Sequence, residues 1–296
     1  MTPRSYLFVP GDRPERFDKA AAAGAHAIIL DLEDAVAPDR KDAARDAVAA
    51  WLDARSAAAA GRGQASGATD GGSGNAEPAH VAGPQILVRI NTEDTPWFAR
   101  DCTIVGSAAV HAVMMPKSQE TDVLKALASH LRADQLIVPL IETVKGWDIA
   151  RTLASQAKVQ RLAFGSVDFN ADAGTSGDGD ALDLVRSQLV MTSRLAGVLP
   201  PVDGVSLALD DLDALTTDVR RARRFGFGGK LCVHPKQVAG INAGFAPSAE
   251  EVAWARRVHD AVAAQGLGAI AVDGKLVDRP VYVLAQTILA NAPADF

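Results

Sequence analysis

The sequence predicts an α/β fold of the (β/α)8 TIM-type barrel class, on two observations. Eight short apolar runs alternate with Ala-rich segments of helical character, the pattern that builds a parallel sheet covered by helices. Polar residues gather where successive runs end, and side chains from many strand ends converge in a barrel. The predicted strands are residues 6–10, 27–32, 86–90, 112–115, 136–141, 161–164, 204–207 and 230–233.

The polar residues after these runs favour the barrel over an open, doubly wound sheet. Periodicity alone does not separate the two folds, but an open sheet would concentrate its site at one switch point. The strand-end residues are Asp31, Glu33, Asp34, Arg89, Asn91, Lys117, Glu142, Asp168 and His234.

The helices between the strands carry their own start and stop signals. Pro14 lies in the first turn of a helix that ends near Gly24, and Pro38 opens the next helix. Near the C-terminus, Ser248 and Glu251 form a capping box ahead of an apolar stripe at helical spacing. The stripe consists of Val252, Ala255, Val258 and Val262.

Two segments lie outside the alternation, which sets the predicted domain boundaries. Residues 1–246 are expected to form the barrel, with a flexible Gly-, Ser- and Ala-rich insertion at about 55–84. Residues 247–296 are expected to form a C-terminal extension of helix, hairpin and helix, packed on its own barrel or on a neighbouring subunit. Asp273 and Gly274 mark the hairpin turn, and Pro280 opens the last helix.

Composition excludes several classes of partner. A net charge of −6 argues against a general attraction to nucleic acid or to an anionic membrane. Cys102 and Cys232 are far apart and have no CxxC partner, so neither a disulfide framework nor a zinc knuckle is indicated. No run reaches the ~18 apolar residues of a membrane span, and no signal-peptide core is present, so we expect a cytoplasmic protein.

The strongest chemical constellation is Arg89, Glu142 and Asp168, each at or just beyond a predicted strand end. Two carboxylates from neighbouring strands supply the hard oxygen ligands that Mg²⁺ prefers, and they leave positions for water and substrate. An arginine nearby could hold a carboxylate or stabilise an enolate oxygen. The alternative for each residue is a structural ion pair at the barrel rim.

Further acids are predicted to support this constellation from the second strand. Strand alternation points Asp31 and Glu33 to the same side, where they could orient metal-bound waters or Arg89. Asp34 is a candidate for the same supporting role, with a helix N-cap as the alternative.

Phosphate binding is predicted for basic residues near the first helix. The candidates are Arg13, Arg16 and Lys19, together with Lys117, and the alternative for each is a solvated surface charge. The GTSGDGD segment, residues 174–180, is predicted to be a mobile loop over the site. His234 is expected either to contact substrate or to make a hydrogen bond at the rim.

The motifs that carry these residues resemble the citrate lyase β-subunit-like acyl-CoA lyases of the HpcH/HpaI aldolase superfamily, which include malyl-CoA and citramalyl-CoA lyases. The similarity covers nearly the whole chain except residues 55–84. It is carried by RSYLFVPGDRPERF, ILDLEDAVAP, LVRIN, MPKS, PLIET, FGSVDFNADAG, GFGGKLCVHPKQV and DGKLVDRP.

The resemblance implies roles for particular residues. It implies that Glu142 and Asp168 bind Mg²⁺ and that Arg89 contacts the substrate. Arg13 and Lys19 are expected to bind the substrate through its phosphates because they are basic residues near the first helix, and not because of the resemblance. The resemblance also implies that Asp278 acts as acid and base from an adjacent subunit of a homotrimer or hexamer. Many members have an acidic residue where this chain has Val167, so the substrate of the citrate lyase members is not transferred.

The activity implied is Mg²⁺-dependent cleavage of citramalyl-, malyl- or citryl-CoA to acetyl-CoA and a 2-oxo acid, or the reverse condensation. Three alternatives remain open at this point. The chain could be a metal-dependent aldolase on free hydroxy-oxo acids, the β-subunit of a multi-subunit citrate lyase, or a CoA-binding homologue without turnover.

Overall fold

The computed structural model describes residues 2–65, 83–266, 268 and 270–292, and it confirms the predicted barrel. Eight parallel strands pair in chain order and the last pairs with the first, which closes the cylinder. The strands are β1 Ser5–Pro10, β2 Ala27–Asp31, β3 Gln85–Arg89, β4 Ala112–Met115, β5 Leu136–Ile141, β6 Ala163–Phe164, β7 Val202–Asp203 and β8 Gly229–Cys232.

Side chains from all eight strands fill the barrel interior. Strand alternation sends every second residue inward, and these residues are apolar, so they form one continuous buried cluster. The cluster comprises Tyr6, Ala27, Ile29, Leu87, Ala112, Met114, Val138, Leu140, Ala163, Val202 and Leu231. Because the interior is filled in this way, a site can form only above it, at the ends of the strands.

The helices follow the strands and cover the outside of the sheet. Two 3₁₀ turns, Pro14–Arg16 and Pro38–Arg40, precede the first two helices, each with the predicted proline in its first turn. The helices are α1 Phe17–Ala21, α2 Lys41–Ala65, α3 Phe98–Asp101, α4 Thr121–Ser129, α5 Val144–Asp148, α6 Ala150–Ala154, α7 Ser166–Ala173, α8 Asp180–Ala196, α9 Leu212–Phe225 and α10 Lys236–Phe245.

Helix α2 corrects the predicted insertion. It continues to Ala65, so residues 55–65, predicted to be flexible, are helical. The physical reason is the run of alanines at 57–60, which has the highest intrinsic helix propensity and carries the helix past the first glycine. Residues 66–82 of the predicted insertion lie outside the described residues.

The seventh strand lies earlier than predicted. It consists of Val202 and Asp203, whereas residues 204–207, expected to form the strand, follow it as irregular chain. Gly204 explains the error, because it lies against the Ser166 side chain with no room for a Cβ atom. A glycine within an apolar run often marks such a close approach, and the strand ends just before it.

The chain divides by its contacts into Thr2–Ile241, which contains the barrel, and Asn242–Phe296. The second unit contains α11 Ala249–Gln265, the hairpin of β9 Ile270–Val272 and β10 Lys275–Val277, and α12 Arg279–Ala290. The capping box of Ser248 and Glu251 is present, and Asp273 and Gly274 form the tight turn with φ values of 52° and 72°. Both predictions are therefore confirmed.

The second unit has an apolar core of its own. Ala255, Val258 and Val262 of α11 pack with Val272, Val277 and Ala285. The predicted helical stripe on α11 is therefore the buried face of that helix.

Both cysteines are free and buried. Among the described residues, no helix combines the length and the apolar composition needed to cross a bilayer.

Candidate active site

A cavity of about 200 Å³ opens at the carboxyl ends of the barrel strands. Its lining combines apolar side chains with several carboxylates and one arginine. The lining residues are Phe8, Asp31, Asp34, Ala35, Arg89, Leu140, Glu142, Phe164, Gly165, Ser166, Val167, Asp168, Val205, Leu231 and Val233. The cavity therefore brings Arg89, Glu142 and Asp168 together, as the sequence predicts.

Glu142 follows β5 and is almost completely buried. Its Oε1 accepts a hydrogen bond of 2.7 Å from the backbone N–H of Lys117. Its Oε2 has no hydrogen-bond partner among the residues that the structure describes. A buried oxygen without a partner is costly, so this atom is suited to a ligand that arrives from the cavity.

The electrostatic environment of Glu142 also suits a cation. Burial, together with the neighbouring charge of Glu33, raises the pKa of Glu142 to about 8. The favourable contacts of the Glu142 carboxylate with Lys117 and Arg89 thus do not offset the cost of burying its negative charge beside Glu33. A divalent cation at Oε2 would supply the missing positive charge, and carboxylate oxygens are the ligands that Mg²⁺ prefers.

Asp168 reaches the same cavity from a helix. It lies in the first turn of α7, which starts just after the short strand β6, and it is half-buried. The loop after β5 is tied to this helix, because the Val144 N–H donates to the carboxylate of Asp172 at 2.7 Å. The elements that carry Glu142 and Asp168 are therefore joined directly to each other.

Arg89 is buried between two acids. Its guanidinium donates two hydrogen bonds to Asp31, of 2.7 and 2.6 Å, and its third nitrogen lies 3.1 Å from Glu33. Phe8 packs against the guanidinium, 4.7 Å from the ring centre. Burial by itself lowers the pKa of Arg89, but the charge and hydrogen bonds of Asp31, together with the charges of Glu33 and Glu142, outweigh it and the net pKa is raised. Arg89 is thus a fixed, permanently charged group.

Lys117 completes this half of the site. Its ammonium group contacts Glu33, which is buried, and lies 3.4 Å from Asp34, which is exposed. Asp34 is not a helix N-cap, since the following 3₁₀ turn is capped by Ala37. Glu33 and Asp34 are therefore placed beside Arg89 and Lys117, where the sequence predicts supporting acids.

A buried polar network, absent from the sequence prediction, lies behind Glu33. The ammonium group of Lys41 donates to the carbonyls of Leu32 and Glu33, both at 2.8 Å, and to the Asn91 side chain at 2.7 Å. Asn91 in turn donates to Asp101. This network fixes the turn after β2, but a lysine at a helix start gives no sequence signal for such a role.

Other predicted site residues lie outside the cavity lining. Arg13 precedes the first 3₁₀ turn and Lys19 lies in α1, and both are exposed, so their substrate-binding role remains a prediction. His234 accepts a hydrogen bond from the Lys236 N–H at 3.1 Å, which is the rim alternative. Asp278 caps α12 by accepting from the Val281 N–H, and its catalytic role also remains a prediction.

The predicted mobile loop makes specific contacts. Arg186 binds the carboxylate of Asp178 at 2.6 Å, and Arg221 donates to the backbone carbonyl of Gly179 at 3.1 Å. The Asn170 side chain donates to the carbonyl of Gly177 at 2.8 Å. The segment that follows Asp168 is therefore attached to α8 and α9.

The described residues contain no group of three or more His, Cys, Asp or Glu side chains arranged to hold a metal ion. Glu142 and Asp168 would thus supply two protein ligands. Such a pair suits Mg²⁺, which keeps several waters and is commonly bound through one or two carboxylates together with oxygens of the substrate.

These features define the class of the protein as a barrel enzyme, because active sites of (β/α)8 barrels lie at this face. The model of the HpcH/HpaI aldolase/citrate lyase family matches residues 4–65 and 75–235. The chain therefore belongs to the HpcH/HpaI aldolase/citrate lyase family, whose members include lyases.

Individual relatives extend along almost the whole chain. It is 33% identical over 294 residues to a citrate lyase subunit beta-like protein of Mycobacterium tuberculosis, covering 97% of this chain and 94% of the relative. It is 30% identical over 295 residues to a (3S)-malyl-CoA thioesterase of Cereibacter sphaeroides, covering 98% and 95%.

A solved structure supports the same relationship. CitE from Mycobacterium tuberculosis, crystallised in complex with magnesium, acetoacetate and coenzyme A, superposes with a TM-score of 0.77 at 32% identity, and 98% of each chain is covered. The fold and the family are thus established independently of the site geometry.

Proposed function

We propose that the protein is a Mg²⁺-dependent CoA-ester lyase that cleaves a short hydroxy-dicarboxylic acyl-CoA into acetyl-CoA and a 2-oxo acid. The observation that carries the proposal is the unpartnered Oε2 of buried Glu142, which lines one cavity with Asp168 and Arg89. The complex of the related CitE with magnesium and coenzyme A supports the choice of metal and of thioester.

In this proposal Glu142 and Asp168 hold Mg²⁺, which when bound would coordinate substrate oxygens and lower the pKa of the substrate hydroxyl. Arg89 is held by Asp31 and Glu33, so it needs no reorganisation to stabilise negative charge as it develops on the thioester oxygen. Asp278, contributed by a neighbouring subunit as the resemblance implies, accepts the hydroxyl proton while the electron pair of the breaking C–C bond passes to the acetyl-CoA enolate. Asp278 then gives that proton to the enolate carbon, which completes acetyl-CoA and leaves the 2-oxo acid.

The cavity favours a 2-oxo acid fragment with one carboxylate and an apolar substituent, as citramalyl-CoA would release. Phe8, Leu140, Val205 and Leu231 form an apolar wall, and Arg89 is already paired with two acids. A second substrate carboxylate, as in citryl-CoA, would meet Asp31, Asp34 and Asp168 instead. Citramalyl-CoA is therefore the preferred substrate within this proposal.

Product analysis tests the proposal. Purified protein is incubated with citramalyl-, malyl- and citryl-CoA, with Mg²⁺ and with a chelator, and the released 2-oxo acid is measured. We expect cleavage only with Mg²⁺, with kcat/KM for citramalyl-CoA about tenfold above that for malyl-CoA, since a methyl group in an apolar pocket contributes at least that factor. Glu142→Ala and Asp278→Asn should each abolish turnover, and full activity in both variants would discard these roles.

Thioester hydrolysis is a second candidate, favoured by the similarity to a (3S)-malyl-CoA thioesterase. The products distinguish the two reactions, because hydrolysis releases free CoA and the intact hydroxy acid.

An aldolase on free hydroxy-oxo acids would act without CoA. A citrate lyase β-subunit would require partner subunits, and these would co-purify with it.

A further inference from the structure

Lys117 has an unusual backbone conformation directly beside the cavity. It follows β4 with a φ of +42°, in the left-handed region that residues with a side chain rarely occupy. Such conformations persist only where surrounding contacts over-determine them, and they cluster at functional sites. The question is therefore what the conformation of Lys117 achieves.

The backbone of Lys117 acts on Glu142. Its N–H donates to Oε1 of Glu142 at 2.7 Å, which leaves Oε2 as the oxygen without a partner. The next residue, Ser118, donates its own N–H to the carbonyl of Leu140 at 3.1 Å. Two consecutive amides of one turn thus bond to the end of β5, one to its backbone and one to the side chain that follows it.

The side chain of Lys117 acts on the other half of the site. Its ammonium group contacts Oε1 of Glu33, and Oε2 of Glu33 lies 3.1 Å from Arg89. Glu33 is buried, so an unpaired carboxylate there would be costly. Lys117 is therefore the residue that contacts both Glu142 and the acid that holds Arg89.

We propose that Lys117 is a positioning residue that orients Glu142 through its left-handed backbone and fixes Glu33, and through it Arg89, with its ammonium group. The inference rests on the proposed function in so far as Glu142 binds Mg²⁺. It assigns Lys117 no contact with the reacting atoms. Its backbone supports metal binding and its side chain supports turnover, so the two effects are separable by substitution.

Two variants separate the effects. Lys117→Gly removes the ammonium group but adopts positive φ without penalty, so the amide stays on Glu142. Lys117→Met also removes the ammonium group, and with it the contacts to Glu33 and Asp34. A methionine still finds positive φ unfavourable, so we expect the backbone to relax and the amide to move away from Glu142. We expect both variants to lose about tenfold in kcat with a smaller change in KM, and only Lys117→Met to lose about tenfold in Mg²⁺ affinity. Lys117→Arg, which keeps the charge, should recover part of kcat.

Lys158 is the matched control. It also has a positive φ, of +66°, and its ammonium group donates to the carbonyl of Arg132 at 2.6 Å, away from the cavity lining. Lys158→Gly and Lys158→Met should leave kcat and Mg²⁺ affinity unchanged. Equal losses in the Lys158 variants would overturn the inference, because the effects would then be general consequences of backbone strain.

Mg²⁺ affinity is measured by calorimetry on the full chain without substrate, and kcat and KM with citramalyl-CoA. Wild-type kcat in Lys117→Gly, or equal Mg²⁺ affinity in the Gly and Met variants, would overturn the inference. If wild type neither binds Mg²⁺ nor cleaves the thioester, the proposed function fails separately. Crystal structures of the two variants then decide the inference about Lys117, which requires Glu142 to be displaced in the Met variant alone.

Discussion

Gly165 lies directly against Glu142. A Cβ atom placed on Gly165 would be 2.6 Å from Oε2 of Glu142, a distance that real Cβ contacts do not reach. The φ of Gly165 is −94°, so the residue is needed for space and not for backbone freedom. The first residue after β6 thus sets how close α7, and with it Asp168, can lie to Glu142.

We therefore expect Gly165→Ala to displace the Glu142 carboxylate while the barrel stays folded. A shift of about 1 Å in a catalytic group can cost about 100-fold in rate, and we expect a loss of that order in kcat together with weaker Mg²⁺ binding. Gly179→Ala is the control, because Gly179 also has negative φ and has open space around its Cβ position. Similar kinetics in the two variants would contradict the steric account.

Arg89→Lys tests the geometry of the arginine as distinct from its charge. A lysine cannot reproduce the paired hydrogen bonds to Asp31, and it would leave Glu33 without its second partner. We expect kcat/KM to fall about 100-fold, together with a lower melting temperature. Arg100→Lys, whose exposed side chain pairs with exposed Asp42, should alter neither quantity. An active Arg89→Lys variant would show that charge alone suffices.

Lys41→Met tests the network behind Glu33. It would leave the carbonyls of Leu32 and Glu33 without their shared donor in a buried position. We expect the free energy of unfolding to fall by about 2–3 kcal/mol in urea titrations. Lys125→Met removes an exposed ammonium group paired with Asp122 and should change it by less than about 0.5 kcal/mol. Equal effects of the two substitutions would show that the network does not stabilise the folded protein.

Two histidines predict how stability depends on pH. Burial lowers the pKa of His26 and of His111, and Nδ1 of each accepts a backbone N–H at 3.1 Å. Below about pH 6.5 the unfolded chain therefore binds more protons at these sites than the folded chain. Their contribution to stability is complete above that pH and is lost as the pH falls through the folded-state values.

His111→Asn should weaken this dependence, because the amide oxygen still accepts the Ile86 N–H but does not titrate. Urea unfolding between pH 5 and 7.5 measures the slope of stability against pH. His130→Asn, at an exposed histidine, should leave the slope as in wild type. An unchanged slope in His111→Asn would assign the acid sensitivity to other groups.

The sequence predicts the parts of this site that local pattern determines. Asp31 and Glu33 are two residues apart at a strand end, so alternation alone placed both on the side where they meet Arg89. Glu142 and Asp168 end successive apolar runs, and barrel closure brings such ends together. The family motifs supplied the same residues independently.

The predictions fail where an element is too short to show a periodic pattern, or where contacts between residues distant in the chain determine a residue's role. A two-residue strand such as β7 has no periodicity to detect, and Pro200 and Pro201 before it read as loop. Lys41 looks like a surface charge in the sequence, and Lys117 is predicted to bind phosphate, with a surface charge as the alternative. Their roles depend on contacts with residues that are distant along the chain, and for Lys117 on the sign of a single φ angle.

The short strands β6 and β7, on either side of α7 in the chain, determine where the barrel opens most easily. β6 and β7 share one residue pair, Ala163 and Val202, whereas β1 and β2 share five. The barrel therefore has its fewest paired residues between β6 and β7. We expect amide hydrogen exchange to be faster there than between β1 and β2. If the proposed function holds, a bulky thioester would enter by displacing the β6–β7 side of the barrel, next to Asp168. The side that carries Arg89 would keep its structure.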